Sequence, residues 1–228
     1  MEFEEIRQEL MNAAEPDFAA FSGKIIPTAY PMLGVRTPTV KKIAKQASER
    51  YLDCEPEYYE ELLVQGFALG RIANSADALF ERLPQYLSRV DNWAAIDSPL
   101  SAMKALKKKS EREQCLEYIE GYAGDGREYF ARFGCVALFD YLDDEHIDGT
   151  LELYNSVSSG RYYVDMAIAW GLSIAAIDHY DKVYAALEEG KFSEFITRKT
   201  VSKCRDSFRI TPERKRQLKE LIRKLYIK

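Results

Sequence analysis

The chain has 228 residues, a formal net charge of −5, 46% hydrophobic and 30% charged residues. That balance belongs to a globular protein with ample length for a core and excludes a disordered or collagen-like chain. No apolar run approaches the roughly 18 to 20 residues that a membrane-spanning helix needs. The acidic, amphipathic start MEFEEIRQEL lacks the basic and apolar regions of a signal peptide, so the expectation is a cytoplasmic protein.

Apolar residues recur at helical spacing nearly everywhere. The first helix is expected over about 3–13. Over Thr37–Tyr51, Val40, Ile43, Ala44, Ala47 and Tyr51 form one stripe, with Thr37-Pro38 as a start signal. Lys41, Lys42 and Lys45 lie on the opposite face, either as a solvated surface or as a phosphate-binding one. Further helices are expected over about 56–72, 76–89, 92–107, 110–122, 127–142, 145–157, 161–176, 180–188, 192–206 and 212–226. Between them stand stop signals: Asn74-Ser75, Gly124-Asp125-Gly126, Ser158-Ser159-Gly160, Gly190 and Thr211-Pro212. No run of period-2 alternation argues for a sheet. The fold class expected is therefore all-α, and residues 1–228 are read as one domain.

A faint repeat sharpens this reading. Phe130-Ala131-Arg132-Phe133, Tyr163-Val164-Asp165-Met166 and Phe195-Ile196-Thr197-Arg198 each open the apolar half of a helix, 33 and then 32 residues apart. A period in that range carried by helix pairs points to an α–α superhelix, a solenoid of the HEAT-like class. In such a solenoid, residues distant in sequence can face one groove.

The charge is unevenly spread. From Ile196 to Lys228 there are twelve Lys and Arg against three Asp and Glu. That segment carries about +9 and leaves about −14 elsewhere, so a basic face can hide behind an acidic total. The four cysteines, Cys54, Cys115, Cys135 and Cys204, are scattered, and the histidines are His146 and His179. That is a poor supply of metal ligands, and no metal is expected. Nucleotide-loop, nucleophile-elbow and metalloprotease motifs are absent.

Three places carry candidate chemistry. Asn92 can cap a helix that sets Trp93 and Asp97 at i and i+4 on one face. An aromatic plate beside a carboxylate suits a cationic ligand; a core Trp with a surface Asp is the alternative. Arg132 opens an otherwise apolar helix, either paired with a carboxylate or phosphate or snorkelling to the surface. Trp170 stands among the small residues Ala167, Ala169 and Gly171, as a core aromatic or a ligand plate.

These elements carry a resemblance. Leu33-Gly34-Val35-Arg36-Thr37-Pro38 with Lys41-Lys42-Ile43-Ala44-Lys45, then Asn92-Trp93 through Asp97, then Arg132, then Ala167-Ile168-Ala169-Trp170 resemble, in order, the motifs of the AlkD-like DNA alkylation repair glycosylases, HEAT-like repeat enzymes. Ala94, Asp165, Leu172-Ser173 and Phe21 depart from that pattern. The resemblance implies a glycosylase that excises cationic alkylated purines, N3-methyladenine and N7-methylguanine, from double-stranded DNA. It implies a monomer with no cofactor and no membrane association. Asp97, Trp93 and Trp170 would be catalytic, and Arg132 would hold a phosphate, with Lys41, Lys42 and Lys45 as further DNA-binding residues. The rival expectation is a non-catalytic HEAT-like module that binds nucleic acid or protein.

Overall fold

The computed structural model describes residues 1–157 and 160–226. The expected stop at Ser158-Ser159, and Lys228 in the basic count, lie outside them. The described residues form thirteen α-helices and four short 3-10 turns, with no strand, so the all-α class holds. Among the described residues, no helix is long and apolar enough to cross a membrane. They group into two compact units, Met1–Tyr118 and Ile119–Lys228.

The first unit contains α1 (Phe3–Asn12), α2 (Pro16–Ser22), α3 (Thr37–Ala44), α4 (Tyr59–Ile72), α5 (Ala76–Leu87), α6 (Ala94–Leu100) and the start of α7 (Arg112–Ala123). Helix α4 is its axis. It packs against α1, α3, α5 and α6, and every residue from Tyr59 to Gly70 is buried. Three of those residues are polar, and each ties irregular backbone to the core, which is how buried polar groups are satisfied. The Glu60 carboxylate accepts the amides of Leu33, Gly34 and Val35 at 3.0, 2.7 and 3.2 Å. Glu61 accepts the Arg7 guanidinium at 2.7 Å and the Glu57 amide at 2.7 Å. The Gln65 amide donates to the carbonyls of Tyr51 and Cys54. At Gly34 φ is +83°, and a Cβ there would lie 2.1 Å from the Glu15 carbonyl oxygen, so only glycine fits.

Two expected helices end early. The 37–51 stripe is buried throughout, yet α3 stops at Ala44 and a 3-10 turn follows at Glu49–Asp53. The carbonyls of Gln46 and Ala47, which a longer helix would bond internally, accept instead from the Met1 ammonium and from Arg71. The expected 92–107 helix is α6 alone, followed by a 3-10 turn at Lys104–Lys107. Pro99 supplies no amide for the Ala95 carbonyl. The buried Tyr86 hydroxyl donates to that carbonyl at 2.5 Å. Gly66 makes room for the pair: a Cβ there would lie 2.4 Å from the Tyr86 oxygen and 2.6 Å from Pro99 Cγ. Tyr86→Phe should therefore cost about 1–3 kcal/mol by orphaning a buried carbonyl, read as a lower urea midpoint with an unchanged slope. Helix α2 was not expected from periodicity.

The second unit contains α8 (Glu128–Ala137), α9 (Ile147–Val157), α10 (Tyr162–Asp178), α11 (Tyr180–Glu188), α12 (Glu194–Asp206) and α13 (Pro212–Tyr226). Helix α10 packs between α8 and α12, while α9 and α11 pack on α10, and α13 on α11 and α12. The three repeat-like sequences lie at or near the starts of α8, α10 and α12, so the 33- and 32-residue offsets mark successive helices of one row.

The cysteines are free thiols, with Cys115, Cys135 and Cys204 buried and Cys54 partly exposed. Burial pushes Cys135 up to about 12 and Cys204 up to about 11, which leaves almost no thiolate at neutral pH. A disulfide dye should therefore modify one thiol per native chain rapidly and four in denaturant. A second fast thiol in the native protein would show that the core opens.

Candidate functional site

In the first unit, the element from Asp91 to Leu100 is fastened at its start. Asn92 is fully buried. Its side-chain oxygen accepts the Ala95 amide at 3.0 Å, and its amide donates to Asp91 at 2.8 Å. The Asp91 carboxylate also accepts the Thr28 hydroxyl at 2.8 Å and the Ala29 amide at 2.6 Å. Asn92 thus caps α6 as expected. The Asp97 amide donates to the Trp93 carbonyl at 3.1 Å, so the two residues stand one helical turn apart on one face. Ala94, Ala95 and Ile96 are buried, whereas Trp93, Asp97 and Leu100 are partly exposed. The apolar residues between them therefore turn Trp93 and Asp97 toward solvent. Asp97 also lies in the first turn of α6, where the helix dipole favours a carboxylate.

The residues that follow α6 border a basic depression of about 270 Å³. Lys41 and Lys45 line it with Arg71 and Lys104, over Phe67, Ala44, Ser101 and Ala102. The Lys41 ammonium sits 5.1 Å from the centre of the Phe67 ring. Lys42 is exposed but does not line it. Arg71 and Lys104 were not singled out in sequence, because they belong to different helical segments and only the fold joins them.

In the second unit, Arg132 is 5% exposed, and its guanidinium donates to the Tyr163 carbonyl at 2.7 Å. The Glu128 carboxylate accepts the Tyr163 amide at 2.9 Å. Helix α8 therefore fixes the first turn of α10 by a donor and an acceptor, four residues apart. Asp165, also buried, is the acidic counterpart in the same region: both charges act on the Cys135 thiol. Above them, ring contacts connect Tyr129, Tyr163, Tyr162 and Phe195 along the starts of α8, α10 and α12.

Trp170 is partly exposed on α10. The Phe139 ring meets it edge-on at 4.8 Å. The Lys203 ammonium, from α12, lies 5.7 Å from its centre, so its face already attracts a cation. The sequence offered Lys203 only as one of twelve cations in the basic segment. Among the described residues, no three His, Cys, Asp or Glu side chains converge as metal ligands would.

The family model described as DNA alkylation repair enzyme matches residues 6–223. No curated protein and no solved structure matches the chain.

Proposed function

Because the chain belongs to the family of DNA alkylation repair enzymes, we propose that it is a DNA glycosylase. Its substrates are cationic alkylated purines in double-stranded DNA, N3-methyladenine and N7-methylguanine. It hydrolyses the N-glycosidic bond. The observation that carries this reading is the α6 element, where a buried Asn92 cap and buried Ala95 and Ile96 present Trp93 and Asp97 outward on one turn.

The chemistry needs little acid catalysis. An N7- or N3-alkylated purine carries a positive charge, and it leaves as a neutral base when the bond to C1′ breaks. The bonding pair goes to the base, and positive charge develops on the deoxyribose. A carboxylate stabilises that charge best when it is fixed beforehand. Asp97 is assigned this role and the alignment of water, which adds to C1′ and releases a proton. Trp93 offers a ring face beside the carboxylate. Trp170, in the second unit, is assigned a catalytic ring role, supported by its partly exposed ring on α10 and its contact with Lys203.

Lys41 and Lys45, with Arg71 and Lys104, are assigned to phosphates, and Lys42 to the flanking duplex. Arg132 serves DNA binding from beneath, by holding the first turn of α10 rather than by reaching out. The test is incubation of the purified protein with methylated plasmid, followed by mild alkaline cleavage at abasic sites. Strand breaks that depend on both methylation and protein support the glycosylase. DNA binding without breaks would support a non-catalytic module.

A further inference from the structure

A groove of about 600 Å³ lies between α12 and α13 and is lined by none of the residues assigned above. Its walls carry Arg198 and Arg205 from α12 and Lys215, Arg216, Lys219 and Arg223 from α13. Among the described residues, no Asp or Glu lines it. These positions fall at i and i+7 on α12, and at i, i+1, i+4 and i+8 on α13. Such stripes ordinarily form the apolar seam of a packed helix pair. Only Val201 and Ile222 supply apolar lining, while Leu218 and Leu221 are the buried residues of α13.

Three of the cations have a carboxylate nearby: Arg198 pairs with Glu194, Arg205 with Asp206 and Arg216 with Glu213. Lys215, Lys219 and Arg223 have no ion pair among the described residues. Like charges facing one another repel, and a bound polyanion relieves that repulsion.

We propose that the α12–α13 groove holds the phosphate backbone of duplex DNA, as an anchor blind to sequence. This rests on the DNA reading above. The walls run seven and eight residue steps from end to end, about 10 and 12 Å at 1.5 Å per residue. One strand of B-DNA presents a phosphate about every 3.4 Å of axis. The strand winds about that axis, so its phosphates lie farther apart than the rise, and the groove spans about two to three of them, more than a single small anion would use. Phe208, wholly exposed in the turn between the two helices, offers a ring to a base or sugar at the groove's end.

The test is fluorescence anisotropy with an undamaged 25-base-pair duplex across a KCl series. The full-length wild type is compared with K215A/K219A/R223A, and with K24A/K182A/K191A, which removes equal charge elsewhere. Circular dichroism and thermal melts show that each variant is folded. The expected result is a groove variant whose affinity falls at least tenfold at low salt. Its slope of log K against log salt should shrink by about 2–3, at roughly 0.9 per phosphate lost, with the control close to wild type. Equal losses in both variants, or an unchanged slope in the groove variant, would overturn the proposal. So would a groove variant that loses binding to phosphatidylserine vesicles while its DNA slope is unchanged. Base release is scored separately: its absence in the wild type would end the glycosylase reading and leave the slope comparison valid.

Discussion

Asp97→Asn should lower the single-turnover rate of base release by about 10²- to 10³-fold, the usual cost of deleting one fixed group that stabilises transition-state charge. The substitution keeps the size of the side chain and removes its charge. The fold should survive, because α6 is anchored by other groups: the Asn92 cap, the Asp91 links to Thr28 and Ala29, and the Tyr86 hydroxyl on the Ala95 carbonyl. Binding to undamaged duplex should hold or tighten, since an anion near phosphates has been removed. Rate and affinity thus move apart. A variant that released base at more than a third of the wild-type rate would remove Asp97 from the chemistry.

The second large effect falls on the scaffold rather than on the chemistry. Glu60→Ala should destabilise the protein by about 3 kcal/mol or more, at roughly 1–3 kcal/mol for each buried donor left unpaired. Three amides depend on that one carboxylate, those of Leu33, Gly34 and Val35. They form the turn that leads into α3 and its lysines. In thermal unfolding the loss corresponds to a melting temperature lower by on the order of 10 °C for a chain of this size. Glu60→Gln should recover part of it, because its carbonyl oxygen still accepts. A loss under about 1 kcal/mol in the alanine variant would mean that water replaces the carboxylate.

The helices were legible because apolar spacing survives whatever the partners are. The cap at Asn92 and the one-turn spacing of Trp93 and Asp97 were legible for the same local reason: a cap and an i, i+4 pair need only neighbours in sequence. Helix ends were not. Where α3 stops depends on Arg71 and the chain's own N-terminus taking two carbonyls, and such partners are 24 and 45 residues away. The role of Glu60 was hidden too, since an acidic residue at a helix start reads as an ordinary favourable charge. The motif Leu33-Gly34-Val35 stood out in sequence as part of a resemblance. The structure supplies its physical reason, a left-handed glycine packed against Glu15 with all three amides on one buried carboxylate.

Arg132 shows the opposite case. Its residue type fits both a phosphate and a buried partner, and burial in the second unit turns it toward the Tyr163 carbonyl. The basic C-terminal segment was visible as a count. Its concentration on the facing walls of α12 and α13 required the helices to be placed.

The central claim is that positive charge on the base makes it a substrate. The most direct measurement is chromatography of free bases released by excess wild-type protein from three duplexes, carrying N7-methylguanine, neutral O6-methylguanine or unmodified guanine. Release of N7-methylguanine well above the spontaneous rate, with the other two duplexes intact, is the predicted result. No release of N7-methylguanine above background, or equal release of the neutral adduct, would contradict the account.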